Sequence, residues 1–277
     1  CQCGLLLGRA ELVEACRARA MHMQGQTGEA DKLFLSLVED TPEQDLANVL
    51  AQMRAAYGMA QAAEKLSDWL DRRPDSVNLR LVLSTWRLGT GKTEAALRVL
   101  KDIEDTEMSD AERGSLHHQL GSIYYGMKDY DRARRHYEIS LDAAPKHAGS
   151  LNNLAYLISD TQTDPGQLAQ AIEYARRARD ARPDDGNIRD TYAWLLAGQG
   201  RYEKARAELE HALEAESENP VIYYHLGIVY EELGEYAKAR AQLNMAKEFG
   251  PDGDLNPKIE KALRRVEDAL SRGSDET

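Results

Sequence analysis

Apolar residues recur along the C-terminal half of the chain with the spacing of amphipathic helices. A large apolar side chain stands one position before each of four small residues, and another stands three positions after it. This is the i, i+3, i+4 stripe of a helix with one buried face. The small residues are Gly121, Ala155, Ala193 and Gly227, at intervals of 34, 38 and 34 residues. The pattern predicts helices that recur with a fixed period.

Two further columns of small residues keep the same phase. The first column holds Ala133, Ala171, Ala205 and Ala239, and the second holds Ser140, Ala178, Ala212 and Ala246. Two helices joined by a tight turn can pack closely only where no bulky side chain intervenes. Prolines that cannot continue a helix follow three of the second helices, at positions 145, 183 and 251. Each period therefore predicts one helix-turn-helix hairpin.

This hairpin resembles the tetratricopeptide repeat, a 34-residue unit with a large-small pair in its first helix, two small residues in its second helix and a closing proline. Four clear repeats are predicted at 114–147, 148–185, 186–219 and 220–253. Three degenerate repeats precede them in residues 1–113, at about 11–43, 44–76 and 77–113, where Gly25, Gly58 and Gly91 supply the turns. A capping helix is expected at 254–272, followed by a disordered tail at 273–277. The fold class is all-α: a right-handed superhelical solenoid of about seven repeats with a C-terminal capping helix.

Two departures from the repeat pattern lead to local expectations. The segment 159–166 adds four residues to one repeat, and its polar, turn-forming composition predicts a longer link between the two helices. In the repeat at 186–219, Ser217 stands where the closing proline is expected. The second helix of that repeat is therefore predicted to be slightly longer than the others.

Charge and the chain ends limit the possible partners and compartments. The net charge is −12, which argues against nucleic acid as a partner because phosphate binding needs clustered Lys and Arg. The longest apolar stretch at either end is 5–7, far short of a membrane span. The chain starts at Cys1 rather than Met, which indicates a processed product or a fragment. The compartment stays open between the cytoplasm and a bacterial periplasm or envelope.

The three cysteines are Cys1, Cys3 and Cys16. An odd number confined to one end does not form the framework of a disulfide-stapled domain, so free thiols are expected. The alternative is that Cys1 is the lipidated first residue of a mature bacterial lipoprotein. A metal site at Cys1 and Cys3 would lack further ligands at suitable spacing.

No motif nominates a catalytic, cofactor-binding or metal-binding residue. The run 89–93 contains Gly91 and Lys92 but lacks the first glycine of a phosphate-binding loop, so it is predicted to be a turn. His117, His118 and His136 have no converging carboxylate at helical spacing, and they are predicted to be surface or groove histidines. The chain is therefore expected not to be an enzyme and to need no cofactor.

The resemblance implies which side chains line a concave groove, since particular positions of each first helix face it in this family. The residues at such positions are His118, Ser122, Tyr125, Asn152, Tyr156, Asp190, Trp194, Tyr224, Ile228 and Glu231. They are aromatic and polar, and Tyr and Trp are frequent at binding hot spots. An alternative is that Tyr156 and Trp194 pack partly against neighbouring helices. Asn153 alone matches the residues that clamp chaperone tails in some family members, so it is predicted to make a structural hydrogen bond between helices.

These observations favour a non-enzymatic scaffold that holds a peptide or helix of a protein partner in the concave groove. One alternative is an envelope-associated assembly factor of the kind that serves exopolysaccharide or lipoprotein export in bacteria, whose repeats the segments 151–156, 190–194 and 224–227 resemble. Another is the regulatory repeat region of a larger enzyme. Self-association through the N-terminal end is a third.

Overall fold

The computed structural model describes residues 10–161, 164–250 and 253–274. In these ranges all regular structure is helical, with fourteen α-helices, two short 3-10 turns and no strand. The helices form two compact units, the first ending at Met127 and the second beginning at Lys128. The division falls between the two helices of the predicted repeat 114–147, and the repeat boundaries themselves stay predictions.

The first unit contains six helices that pack against their neighbours in the chain. They are α1 (Ala10–Met23), α2 (Thr27–Asp40), α3 (Leu46–Trp69), α4 (Val77–Gly89), α5 (Thr93–Lys101) and α6 (Asp110–Gly126). The turn between α1 and α2 contains Gly25 and the turn between α4 and α5 contains Gly91, both with positive φ. The run 89–93 is therefore a turn between two helices, as the sequence predicts.

Helix α3 contains a break at the predicted turn. Gly58 has φ 75° and ψ 164°, so two helical segments meet there across a kink. A residue with a Cβ is strained at this φ, whereas glycine adopts it readily. The second degenerate repeat thus has two helical segments joined at one glycine.

Two apolar clusters form the core of the first unit. The larger cluster draws side chains from α1 to α5 and includes Phe34, Met53, Leu66 and Leu83, each of which is fully buried. The smaller cluster joins α4, α5 and α6. The core is therefore distributed along the stack, as is typical of repeats that touch only their neighbours.

The second unit contains eight helices arranged as hairpins. They are α7 (Tyr130–Ala143), α8 (Ala148–Thr161), α9 (Pro165–Ala181), α10 (Gly186–Gly198), α11 (Tyr202–Ala215), α12 (Pro220–Glu232), α13 (Tyr236–Glu248) and α14 (Leu255–Ser274). Helices α8, α10 and α12 are the first helices of three hairpins, with α9, α11 and α13 as their second helices. Since α10 also contacts both α8 and α12, the first helices form a layer of their own, and α14 packs against α12 and α13 at its end.

The columns of small residues lie at the helix contacts. Every member is buried, and Ala155, Ala193, Ala205 and Ala239 have no exposed surface. Gly227 shows the reason, because a Cβ at this position would lie 2.7 Å from Leu243 Cγ on the paired helix. The predicted packing of each hairpin is confirmed.

Two predicted helix ends are wrong. Helix α11 ends at Ala215 and is no longer than α7, although Ser217 replaces the expected proline. The reason is that Asn219 caps the next helix and Pro220 opens it, which leaves four residues for the turn, as in the turns before α8 and α10. The capping helix α14 extends to Ser274, so the predicted tail at 273–277 begins too early.

The expectation of three free thiols is also wrong. Cys16 lies in the buried part of α1 and is disulfide-bonded, with its partner outside the described residues. Cys1, Cys3 and the apolar stretch 5–7 are outside the described residues as well.

Candidate functional site

The predicted groove residues fall on helices of both units. His118, Ser122 and Tyr125 lie half-buried on α6 of the first unit. The other seven lie on α8, α10 and α12, the first helices of the second unit. Each group is therefore a separate surface for the purpose of describing its geometry.

His117 differs from its neighbour. Its side chain is 4% exposed, so the prediction of a surface or groove histidine is wrong for this residue. Burial lowers the pKa of His117, and the charge of Arg113 lowers it further. The ring belongs to the interior of α6 because it follows Leu116 on the apolar side of the helix, where Gly121 and Leu120 are also buried.

Two aromatic side chains of the first helices are exposed. Tyr156 on α8 is 46% exposed and Trp194 on α10 is 36% exposed, although most aromatic residues of the chain are buried or half-buried. The alternative that these two residues belong to the core does not hold. They are therefore available for contact with another molecule, and each offers a large apolar area on a side chain with few rotatable bonds.

Trp194 is held against a hydrogen-bonded pair on its own helix and the next. Its indole stacks on the imidazole of His225, with ring centroids 4.1 Å apart and an angle of 19° between the planes. His225 Nδ1 lies 2.7 Å from Asp190 Oδ1. Asp190 is 9% exposed, so it acts from beneath the surface and fixes the plane on which the indole rests.

Glu231 is also engaged by a neighbouring helix. Arg265 of α14 donates two hydrogen bonds to its carboxylate, from Nε at 2.7 Å and from Nη2 at 2.6 Å. The hydrogen bond to Glu231 raises the pKa of Arg265, while burial opposes this change. Burial raises the pKa of nearby Tyr224; the charge of Arg265 opposes the change and that of Glu231 adds to it. This end of the surface carries a bound guanidinium beside an aromatic ring.

The remaining predicted residues are half-buried. Ile228 lies on α12, and Asn152 lies on α8 with its Oδ1 buried and without a hydrogen-bond partner. Asn152 Nδ2 donates to Asn153 Oδ1 at 3.3 Å. Asn153 Nδ2 in turn lies 3.4 Å from Tyr137 Oη on α7, which confirms the predicted structural hydrogen bond between helices.

Two residues of this surface, His225 and Arg265, are missing from the residues nominated by sequence. A signal for both exists in the repeat period. His225 follows Asp190 by 35 residues and Arg265 follows Glu231 by 34, so each pair occupies similar positions on successive first helices. A search for complementary polar residues one period apart would have found them.

The Asp190–His225 pair does not form a nucleophilic triad. Such a site needs a hydroxyl or thiol within hydrogen-bond reach of the second imidazole nitrogen. Among the described residues no hydroxyl or thiol side chain makes a hydrogen bond to His225, and one face of its ring is covered by Trp194. The geometry serves to orient an aromatic surface.

The repeats match a known family. Residues 114–147 match one form of the tetratricopeptide repeat, and residues 163–216 and 196–266 match a second form. The chain is a tetratricopeptide repeat protein. Its fold agrees with that of TTC0263, a thermophilic TPR protein of Thermus thermophilus, with a TM-score of 0.53, 21% sequence identity, and coverage of 70% of this chain and 99% of that one. Tetratricopeptide repeats characterise protein-interaction scaffolds, so this TPR chain belongs to that broad class.

Two curated proteins are similar in sequence to this TPR chain. The BBSome complex member BBS4 of Bos taurus is 22% identical over 278 residues, which cover 97% of this chain and 52% of BBS4. The human protein O-mannosyl-transferase TMTC3 is 32% identical over 120 residues, 43% of this chain and 12% of TMTC3. The chain thus spans about half of one relative and a small part of the other.

Membrane crossing was considered for each described helix of the TPR chain. None of these helices combines the length with the apolar character that a bilayer span requires.

Proposed function

We propose that this chain binds an extended or helical segment of a partner protein on the exposed side of α8, α10 and α12, and that it does so without covalent chemistry. We call this side the first-helix face; Tyr156, Trp194, Tyr224 and Ile228 are its apolar members. One observation carries the proposal. The indole of Trp194 is exposed and yet fixed, because it rests on His225, which Asp190 holds from below.

A fixed aromatic side chain favours binding because little rotamer freedom remains to be lost when the partner arrives. Exposing such a ring has a cost in the unbound protein, since its apolar area faces water. Energetic hot spots at interfaces are typically large aromatic side chains in well-ordered surroundings. Trp194 has these properties, and Tyr156 on the preceding first helix extends the apolar area.

The experiment compares wild-type protein with Tyr156→Ala, Trp194→Ala and the double variant. A partner is captured from cells of the source organism by wild-type protein, identified, purified and then titrated against each variant. We expect the double variant to bind at least about tenfold more weakly, since two interface aromatics together contribute more than about 1.4 kcal/mol. Circular dichroism should show unchanged helicity and nearly unchanged melting.

Tyr236→Ala is the matched control, because Tyr236 lies on the second helix α13 and is 37% exposed, as Trp194 is. Its substitution should leave the affinity unchanged. Equal binding by wild-type protein and the double variant would refute the proposal, and so would loss of the fold in that variant, since these side chains would then be structural.

We propose His118, Ser122 and Tyr125 on α6 as a further partner contact, because they occupy the corresponding positions of their repeat. The test is separate, since these residues belong to the first unit. Tyr125→Ala should weaken binding of the same identified partner without loss of helicity. If only the variants of the second unit affect binding, the contact on α6 is excluded.

A second candidate function is that of a repeat region within a larger enzyme. The similarity to 12% of TMTC3, which is named as a transferase, supports it. In that case the residues described above would recruit a protein, and the catalytic residues would lie elsewhere in the longer chain. The full open reading frame decides between the two, since an adjoining catalytic domain is either encoded there or absent.

A further inference from the structure

Basic side chains are distributed unequally between the two kinds of helix in the second unit. The second helices α9, α11 and α13 contain three, two and three Lys or Arg residues, respectively. The first helices α8 and α12 contain none, and α10 contains only Arg189. The hairpins therefore separate their positive charge from the first-helix face.

Arg189 does not restore positive charge to this face. Its guanidinium hydrogen-bonds to Glu208 on the second helix α11, and its Nε donates to the carbonyl of Pro183. The side chain is 13% exposed, and Glu208 also binds Arg179 of α9. Arg189 is thus committed to the contact between hairpins and is screened from any molecule on the first-helix face.

Carboxylates and aromatic rings remain on the first helices. The carboxylates are Asp160, Asp190, Glu231 and Glu232. Aromatic faces attract cations through their quadrupole, and Arg and Lys side chains are the usual partners. A surface with acidic groups beside Tyr and Trp rings complements a cationic side chain better than an acidic one.

The chain itself supplies an example of this recognition. Arg265 of the terminal helix α14 places its guanidinium on Glu231 with two parallel hydrogen bonds, next to Tyr224. Such a two-pronged contact matches the planar fork of arginine with a carboxylate. Glu231 is therefore positioned to bind a guanidinium that arrives from an adjacent segment.

We propose that the partner segment held by the first-helix face is basic, with Arg or Lys side chains that contact the exposed rings of Tyr156 and Trp194 and the carboxylates around them. This inference rests on the proposed function and specifies the chemistry of the partner. The net charge of −12 on the whole chain would accelerate the approach of such a segment.

The test uses three synthetic peptides of about twelve residues that share the same apolar positions and carry Arg, Gln or Glu at the others. Each peptide is titrated into the full chain by calorimetry at about 50 mM and about 500 mM salt. We expect the arginine peptide to bind at least about tenfold more tightly than the glutamine peptide, with an affinity that falls as salt rises. The glutamate peptide should bind most weakly.

Two variants localise the contact. Trp194→Ala and Asp190→Asn should each weaken binding of the arginine peptide by about threefold or more, while its binding to Glu214→Gln should equal that to wild-type protein. Glu214 is the matched control because it is exposed on the second helix α11 and its substitution removes the same unit of charge as Asp190→Asn. A loss for Glu214→Gln as large as for Asp190→Asn would overturn the inference, since the attraction would then arise from net charge alone.

The outcomes also separate this inference from the proposed function. If the glutamine or glutamate peptide binds more tightly than the arginine peptide and Trp194→Ala weakens that binding, the first-helix face is a binding surface but the basic partner is excluded. If the arginine peptide fails to bind at about 1 mM, the inference is likewise overturned. The proposed function is then decided independently by the identified partner and the double variant.

Discussion

Asp190 on α10 and His225 on α12 form a hydrogen bond of 2.7 Å that links two successive hairpins. Both side chains are largely shielded from solvent, with 12% and 15% of their area exposed. They lie 35 residues apart, one residue more than the repeat period, and adjacent first helices therefore bring them together. Because Trp194 stacks on the same imidazole, a contact within the protein sets the orientation of an exposed side chain.

We expect Asp190→Ala to lower the free energy of unfolding by about 1 to 3 kcal/mol, because His225 Nδ1 would lose its partner in a largely buried position. Asp190→Asn should lose less, since the amide oxygen can still accept the hydrogen bond. Urea denaturation followed by circular dichroism measures both values. If alanine and asparagine destabilise equally, the hydrogen bond is not the reason for the loss.

Substitution of two glycines on first helices should have opposite effects. Gly227→Ala places a Cβ 2.7 Å from Leu243 Cγ in the packed contact between α12 and α13, and overpacking of this kind costs about 1 to 3 kcal/mol. Gly198→Ala meets no atom within 4 Å at the end of α10, and the gain in helix propensity should stabilise the protein by up to about 1 kcal/mol. Thermal melting of the two variants compares them directly. A stabilising Gly227→Ala would show that the hairpin can open to accept the methyl group.

The repeat architecture was predictable from sequence because the packing requirement acts on residue size. Ala193, Ala205 and Gly227 must be small wherever two helices approach closely, and this requirement leaves a periodic trace in a single sequence. The turn at Gly91 was predictable for a related reason, since a positive φ selects glycine. Such local constraints on size and backbone conformation do not depend on knowing the neighbours.

The chemistry of the site was less predictable because it depends on pairs of side chains. Nothing in the letters around His225 shows that its ring lies between Asp190 and Trp194; the contact arises from the stacking of two repeats. Cys16 shows the same limit, because its disulfide depends on where another segment of chain lies. The end of α11 was misjudged because the absence of a proline was weighed without the cap and start of the next helix at Asn219 and Pro220.

Two adjacent arginines of the first unit should differ in their effect on stability. Arg73 donates from Nη1 to the carbonyls of Thr41 and Val38 at the end of α2 and from Nη2 to Glu43, with 22% of its side chain exposed. These carbonyls have no partner within their helix, so Arg73→Ala should cost about 1 to 3 kcal/mol. Arg72→Ala is the control, because Arg72 is 61% exposed and makes one ion pair of 3.5 Å with Glu39.

Chemical denaturation of both arginine variants tests this difference. Arg72→Ala should change the unfolding free energy by less than about 0.5 kcal/mol, as is usual for exposed ion pairs. Equal losses for the two variants would mean that the carbonyl contacts of Arg73 contribute nothing beyond charge.

His147 should make the stability of the second unit depend on pH. It precedes the first residue of α8, and its Nδ1 accepts a hydrogen bond of 3.2 Å from the backbone N–H of Ser150. An imidazole nitrogen can accept this bond only when it carries no proton, so the cap requires neutral histidine. Burial lowers the pKa of His147, and the charge of Arg182 lowers it further.

The direction of the pH effect follows from these facts. Because the pKa of His147 is lower in the folded than in the unfolded chain, the unfolded chain takes up the proton first as the pH falls. The contribution of neutral His147 is therefore complete above the unfolded pKa of about 6.5 and decreases below it, until the folded histidine is protonated as well. Buried His117, whose pKa is also lowered, acts in the same direction, so each histidine accounts for only part of the dependence.

His147→Asn isolates that part, because asparagine is a favourable N-cap that does not titrate. The difference in unfolding free energy between about pH 7.5 and about pH 5.5 should be smaller in this variant than in wild-type protein, while stability at the higher pH should be nearly unchanged. His147→Ala should show the same smaller difference, and it should also lose about 0.5 to 2 kcal/mol at both pH values because the cap is gone. A wild-type pH dependence in both variants would mean that the hydrogen bond to Ser150 does not control protonation.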